Sequence, residues 1–299
     1  MTVANSNQPM QGKICMVTGA ASGIGAVTAW ALAQQGAAVI LVDRNSDEGV
    51  ITANRIKQQT GNPVVEFMLA DLSAQKEIRQ LVQQFRSRYQ RLDVLVNNAG
   101  AFFRRRQETV DGIEMTFALN HLGYFLLTNL LLETIKASAP ARIINVSSRS
   151  HARAQINFDD LQSRSSYRGL QAYAQSKLAI VLFTYELARR LEGTGVTVNT
   201  LHPGTVATNF ATNSRGVVSL SVRLFRSAFL SPEQGAQTSI YLATSPEVEG
   251  VTGKYFVKQQ AVPSSPASYD TATASRLWQV SAELTGLPLS TWIVTGRGA

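Results

Sequence analysis

Short apolar runs alternate along this chain with longer stretches in which apolar residues recur every three or four positions. The runs Lys13–Thr18, Ala38–Val42, Val64–Leu69, Asp93–Asn97, Ala141–Val146, Val196–Leu201 and Gly253–Val257 are rich in Val and Ile and predict strands. Between them, helical periodicity runs over about Ile24–Gln35, Ser46–Gln59, Ala74–Tyr89, Asp111–Lys136, Gln171–Leu191 and Pro232–Thr244. Strands apolar on both faces and separated by helices predict a doubly wound α/β fold, with a mainly parallel seven-stranded sheet and helices on both faces. Ligands of such folds sit beyond the carboxyl ends of the strands. Two segments interrupt the rhythm. Residues 208–231 hold Phe210, Leu220, Leu224, Phe225, Phe229 and Leu230, and are expected to form a lid over an apolar ligand. Gln259–Asp270, with Pro263 and Pro266, is expected to link to a last helix at about Thr271–Leu284. Residues 1–11 are polar and are expected to form a loose tail, leaving 12–299 as one domain.

Composition narrows the class. Of 299 residues, 44% are hydrophobic and 16% charged, which suits a globular chain. No continuous apolar run approaches the ~20 residues that a membrane-spanning helix needs, so no span is expected. The one cysteine, Cys15, sits between Ile14 and Met16 and reads as a buried, inert thiol. One cysteine forms no internal disulfide, which fits a reducing cytoplasm. The net charge is +8, but the basic residues are spread out and the Arg104–Arg106 run lacks any nucleic-acid signature, so no nucleic-acid partner is expected. A general positive field can gather an anionic dinucleotide or lean on an anionic membrane. His121, His151 and His202 form no ligand-spaced cluster, so no metal is expected. Ser148 lacks the Gly-x-Ser-x-Gly elbow of a hydrolase.

Two patterns carry chemistry. The stretch Thr18-Gly-Ala-Ala-Ser-Gly-Ile-Gly25 follows the first strand and opens the first helix. Gly19, Gly23 and Gly25 let the backbone turn tightly against a pyrophosphate, which a helix N-terminus attracts. An acidic residue about 20 positions on completes a Rossmann dinucleotide pattern, and Asp43 stands there. Its carboxylate suits both adenosine ribose hydroxyls and repels a 2′-phosphate, which favours NAD. The neighbouring Arg44 can instead pair with that phosphate, which keeps NADP open. Asp43 can also act simply as a turn cap. The second pattern is Tyr173–Lys177, a phenol and an ammonium four residues apart on one helix. The ammonium is expected to pull the phenol below its usual value of about 10, making an acid/base for a carbonyl or alcohol oxygen. Alone, such a pair is also what two surface side chains of an amphipathic helix look like.

In order, Thr18–Gly25, Asn97–Gly100, Asn120, Ser147-Ser148, Tyr173–Lys177 and Pro203-Gly204 resemble the short-chain dehydrogenase/reductase family over about residues 12–257. Within it the chain is most similar to the retinol dehydrogenase group, through Asn120–Thr128, Asn145–Ser148, Leu182–Leu191, His202–Thr205, Gln234–Thr238 and Arg276–Ser281. The resemblance implies that Tyr173 is the acid/base and that Lys177 lowers its pKa while holding the nicotinamide ribose. It implies that Ser148, rather than Ser147, holds the substrate oxygen, and that Asn120 supports a water leading from Lys177 to solvent. It further implies cofactor contacts at Gly19, Ser22, Gly23, Ile24 and Gly25, at Asp43, Arg44, Asp71 and Leu72, and at Asn98, Ala99 and Gly100. Pro203, Gly204, Val206 and Thr208 match the segment beside the nicotinamide carboxamide, and Arg149–Gly169 is expected to wall the pocket. Two departures stand out: membrane-bound retinol dehydrogenases carry an N-terminal hydrophobic anchor that is not found here, and their NADP-preferring members lack an acidic residue at the place of Asp43.

The expected activity is hydride transfer between nicotinamide and a carbonyl or alcohol, with NAD favoured over NADP. The lid aromatics with Phe102 and Phe103 point to a hydrophobic substrate, retinoid-like, steroid-like or long-chain, although such residues also serve as core. The face of Gln171–Leu191 can bury within its own fold or against a second subunit of a homodimer or homotetramer. Two other readings use the same residues: a dinucleotide-sensing protein without catalysis, and a membrane-surface or scaffold protein docking through Val217–Leu230 with Arg223 and Arg226.

Overall fold

The structure is a computed structural model, and it describes residues 8–204 and 230–288. The chain runs β1 (Ile14–Thr18), α1 (Gly23–Gln34), β2 (Ala38–Asp43), α2 (Ser46–Thr60), β3 (Val65–Leu69), α3 (Gln75–Arg88) and β4 (Val94–Asn97). It continues through α4 (Met115–Ala137), β5 (Ala141–Val146), α5 (Gly169–Arg190), β6 (Val196–His202), α6 (Pro232–Thr244), β7 (Tyr255–Val257), β8 (Gln260–Val262) and α7 (Thr271–Thr285). The sheet order is β3-β2-β1-β4-β5-β6-β7-β8, parallel throughout except for the last pair. Strand order reverses beside β1, between β1 and β4, and this opens a crevice at their carboxyl ends.

The doubly wound expectation holds, with eight strands where the pattern gave seven. The added strand β8 lies in the stretch read as a linker. Its three residues are exposed or half-exposed, so they carry no apolar run to read. The alternation of side chains across the sheet builds two cores. Met16 and Ile40 point to one face with Leu81, Phe125 and Ile180, whereas Cys15, Val17 and Val39 point to the other with Leu32, Ile56 and Leu242. Of the stretch read as a tail, residues 8–11 are turned, Met10 is buried, and its amide donates to the Gln35 carbonyl.

Helix α4 starts four residues later than the periodicity gave, because the Glu114 carboxylate accepts from the Thr116 and Phe117 amides and caps it there. Met115–Ala137 is also long and apolar enough to cross a membrane, which corrects the expectation that no stretch approaches that limit. Polar residues such as Asn120 and His121 interrupt the apolar run without lowering its average far. In the fold, 83% of its most apolar window is buried by protein.

Helix α7 covers the face of α5 that could have met a second subunit. Trp278 packs against Phe125 and Phe183, with ring centroids 5.0 and 5.8 Å away, and the Arg190 guanidinium lies 4.3 Å over the indole. Beneath it the Ser281 hydroxyl donates to the Leu277 carbonyl, so His121 Nε2–H donates to Ser281 Oγ at 2.8 Å. Burial lowers the His121 pKa to about 3 and that of His202 to about 4. In the unfolded chain both bind a proton near 6.5. Below about 6.5 the unfolded state therefore holds more protons, and stability falls with pH at up to about 1.4 kcal/mol per unit for each histidine until its folded value is reached. We expect a lower urea midpoint at pH 5 than at pH 7, and a shallower dependence in His202→Asn. Equal midpoints at both pH values would contradict these burials.

Candidate active site

The glycine loop between β1 and α1 is shaped by close approach. A Cβ on Gly25 would lie 2.1 Å from the Gly19 carbonyl oxygen, and one on Gly19 would lie 2.8 Å from Ala99 Cα. Gly19 and Gly23 also have positive φ, at 65° and 58°. Thr18 Oγ1 accepts from the Asn98 and Ala99 amides at 2.9 and 3.1 Å, and Asn98 Nδ2 donates to the Thr18 carbonyl at 2.8 Å. Asn98 thus fastens the β4 loop to the glycine loop. At the start of α1, Ser22 makes no side-chain capping bond and no acidic residue stands in the first turn. The helix N-terminus is left to an external anion. Glycine cradle, uncapped helix end and nearby carboxylate together fit a dinucleotide.

Asp43 ends β2 beside this loop. One carboxylate oxygen accepts from the Ala21 amide and the other from the Asn45 amide, both at 3.1 Å, while Arg44 is exposed. Asp71 turns inward to Ser73, accepting from its amide and its hydroxyl. Leu72, past the end of the third strand, puts its side chain in the core against α3 and α4. Asn97 is wholly buried, donating to Thr128 Oγ1 and Asn145 Oδ1. It is a tie between β4, α4 and β5.

At the carboxyl ends of β4, β5 and β6 the second group assembles. A π-helical turn, Ala118–Leu122, interrupts α4 and turns Asn120 toward the sheet end, as such bulges often do at sites. Asn120 accepts from the Ala101 amide at 2.9 Å and donates to the Ala101 carbonyl and Ser176 Oγ, both at 3.0 Å. Its amide group thus locks the β4 loop to α5. Lys177 Nζ is buried, donates to the Val146 carbonyl at 3.1 Å, and lies 5.6 Å from the Tyr173 ring centroid. Gly100 keeps this corner open: a Cβ there would lie 3.1 Å from Asn120 Oδ1 and 3.4 Å from Lys177 Nζ.

The serine pair divides cleanly. Ser147 Oγ donates to the Lys177 carbonyl at 2.8 Å and is buried, whereas Ser148 acts on the Tyr173 phenol, pulling its pKa down, and its Oγ accepts from the Ser150 amide at 3.2 Å. Burial pushes the Tyr173 phenol up to about 12, against the pull of Ser148. Burial brings Lys177 down to about 7. The expectation that the ammonium lowers the phenol is not met: the phenol is raised. Both groups have lost water, and each therefore resists its charged form.

Of the aromatic pair, Phe103 is buried core, while Phe102 stands edge-on to Tyr173 with centroids 6.1 Å apart. Pro203 and Gly204 lie at the end of β6, half-buried, with Leu230 against Gly204. Val206, Thr208 and nearly all of the expected lid fall outside the described residues. Among the described residues no group of His, Cys, Asp and Glu is placed to hold a metal ion. Sequence reasoning passed over His151 and His202, both buried beside this site.

The family model of short chain dehydrogenases matches residues 13–217. Retinol dehydrogenase 12 of Mus musculus is 44% identical over 285 residues, covering 95% of this chain and 90% of that protein. Retinol dehydrogenase 13 of Homo sapiens is 46% identical over 290 residues, covering 94% and 87%. Among solved structures, an uncharacterized protein from Mycobacterium paratuberculosis superposes with a TM-score of 0.76 at 34% identity, covering 93% of this chain and 96% of that one. The Pseudomonas aeruginosa RhlG/NADP active-site complex superposes at 0.67 with 27% identity, covering 85% and 97%. The chain therefore belongs to the short-chain dehydrogenase family, and it is a nicotinamide-dependent oxidoreductase acting on CH–OH and C=O groups.

Proposed function

We propose that this chain interconverts a hydrophobic carbonyl compound and its alcohol, of retinoid-like, steroid-like or long-chain type, with NAD favoured over NADP. The observation that carries the reading is Ser148 lowering the Tyr173 phenol from nearby, with Lys177 one turn further along the same helix and its Nζ 5.6 Å from the centroid of the phenol ring. The names of the relatives, retinol dehydrogenases, and the Phe102 ring beside Tyr173 support an apolar substrate.

The glycine loop and the α1 N-terminus would hold the pyrophosphate, and Asp43 the adenosine ribose. A nicotinamide dinucleotide bound there supplies the hydride acceptor or donor. In reduction, Tyr173 gives its proton to the carbonyl oxygen while Ser148 donates a hydrogen bond to the same atom, so charge developing on oxygen meets two prearranged donors. In oxidation the proton returns to Tyr173. Lys177, held near neutrality by burial, takes up charge most readily when the phenol gives up its proton, and the pair then shares one proton. A panel of hydrophobic and short aldehydes, ketones and alcohols, followed at the reduced-nicotinamide absorbance band with each cofactor, tests the reading. Turnover of none of them by a protein that binds the dinucleotide would end it.

The cofactor preference rests on Asp43. A carboxylate already accepting two amides still repels a 2′-phosphate, and Asp43→Asn removes the charge while keeping an acceptor for one amide. The NAD-over-NADP ratio of kcat/KM is expected to fall by about tenfold or more, about 1.4 kcal/mol. An unchanged ratio would assign the preference to Arg44 or elsewhere.

A further inference from the structure

His151 joins the serine of the site to the C-terminal part of the chain. The residue is 3% exposed. Nδ1 lies 2.7 Å from the Ser148 carbonyl oxygen, and Nε2 lies 3.1 Å from the Ser265 amide nitrogen. A carbonyl only accepts and an amide N–H only donates, so Nδ1 carries the proton and Nε2 the lone pair. The His151 amide donates to the same Ser148 carbonyl at 3.2 Å. One residue thus places two donors on one oxygen.

Ser265 belongs to a strap fastened to α5. The Ser264 hydroxyl hydrogen-bonds Tyr185 at 2.7 Å, Ser268 donates to the Ser265 carbonyl, and the Tyr185 and Tyr269 rings stack 5.4 Å apart. Tyr185 and Tyr173 are on the same helix. Through His151 the backbone of Ser148 is therefore referenced to the helix that carries its hydroxyl partner. On the other side the ring packs against Tyr255, with centroids 4.8 Å apart.

We propose that His151 is a positioning residue, whose Nδ1–H on the Ser148 carbonyl fixes the Ser148 hydroxyl opposite the Tyr173 phenol. This rests on the oxidoreductase reading of those two residues. The donor to Ser148 and the acceptor for Ser265 are different ring atoms, and substitutions can separate them. His151→Asn keeps an N–H at the position of Nδ1 and loses the acceptor. His151→Gln keeps an acceptor near Nε2 and loses the Nδ1 donor. His151→Phe loses both and keeps the ring against Tyr255.

In the Phe and Gln variants kcat is expected to fall by about a hundredfold with the dinucleotide KM unchanged, because the oxygen-holding hydroxyl is misplaced while the cradle is intact; the Asn variant should turn over within about threefold of wild type. The Asn variant should nonetheless melt lower than the Gln variant, since it leaves the Ser265 amide unpartnered. A merely structural histidine would make rate follow melting temperature. An active Gln variant beside an inactive Asn variant, or three equal rates, would overturn the proposal. Hydrogen exchange over residues 147–151 reads the same loop without turnover. Faster exchange in the Phe and Gln variants than in wild type and the Asn variant is expected, and uniform exchange would overturn the proposal even if the wild type turned over nothing, an outcome that would count separately against the oxidoreductase reading.

Discussion

Replacing Tyr173 by Phe is expected to lower turnover by about a thousandfold or more, on the scale of a lost general acid/base, and to leave dinucleotide affinity within about threefold. The substitution removes one oxygen. The ring stays where it packs edge-on to Phe102, and Ser148 Oγ keeps its contact with the Ser150 amide. Nothing in the glycine loop or at Asp43 touches the phenol, so the dinucleotide cradle should be unaffected. Among the described residues, the removed hydroxyl is the group in this corner placed both to exchange a proton with a substrate oxygen and to meet Ser148. The Phe variant keeps the half-buried ring and removes only a poorly solvated hydroxyl, so its melting temperature should not fall by much. Turnover within tenfold of wild type, with folding intact by circular dichroism, would show that the proton comes from elsewhere.

The pH profile of the same reaction follows from the two burials. With the phenol pushed up to about 12 and the lysine brought down to about 7, the phenol is neutral and the lysine about half-protonated near neutrality. The phenol ionises more easily the more fully Lys177 is protonated beside it. The coupling is mutual, and a measured pKa would belong to the pair and not to Tyr173 alone.

How much of this was legible in the sequence depended on whether the information was local. Gly19, Gly23 and Gly25 stand at fixed spacing after an apolar run, and the structure puts them in one loop with Asp43 at the end of the next strand. Tyr173 and Lys177 sit four apart on one helix, which the helical pitch alone brings to one face. The Ser147–Ser148 division was not local. The resemblance alone favoured Ser148, and the contact that separates the two hydroxyls, Ser147 donating to the Lys177 carbonyl, is tertiary. The π-helical turn at Asn120 left no mark either, because the apolar periodicity continues across it. His151 was set aside as a histidine with no metal cluster. Its partner Ser265 is 114 residues away, and nothing in the intervening pattern pairs them. Leu72 was placed by its motif, and no local pattern shows that its side chain packs in the core behind it.

Gly25→Ala is expected to weaken dinucleotide binding by about a hundredfold and to destabilise the fold by about 1–3 kcal/mol, the usual cost of overpacking. The methyl would sit 2.1 Å from the Gly19 carbonyl oxygen and 2.7 Å from Asn98 Nδ2. Neither can yield alone. The carbonyl belongs to the backbone of the loop, and the Asn98 amide is fixed by its bonds to the Thr18 and Gly19 carbonyls. Relief requires the glycine loop to lift away from α1, which moves the amides that would face a pyrophosphate and strains the Ala21 bond to Asp43. Helix propensity favours Ala over Gly at this position, so a helix-only account predicts stabilisation, opposite in sign to the steric account. Fluorescence of bound reduced dinucleotide and a thermal melt separate the two. A variant that melts higher and binds normally would mean that the loop has slack that the close approach of Gly25 to Gly19 does not allow.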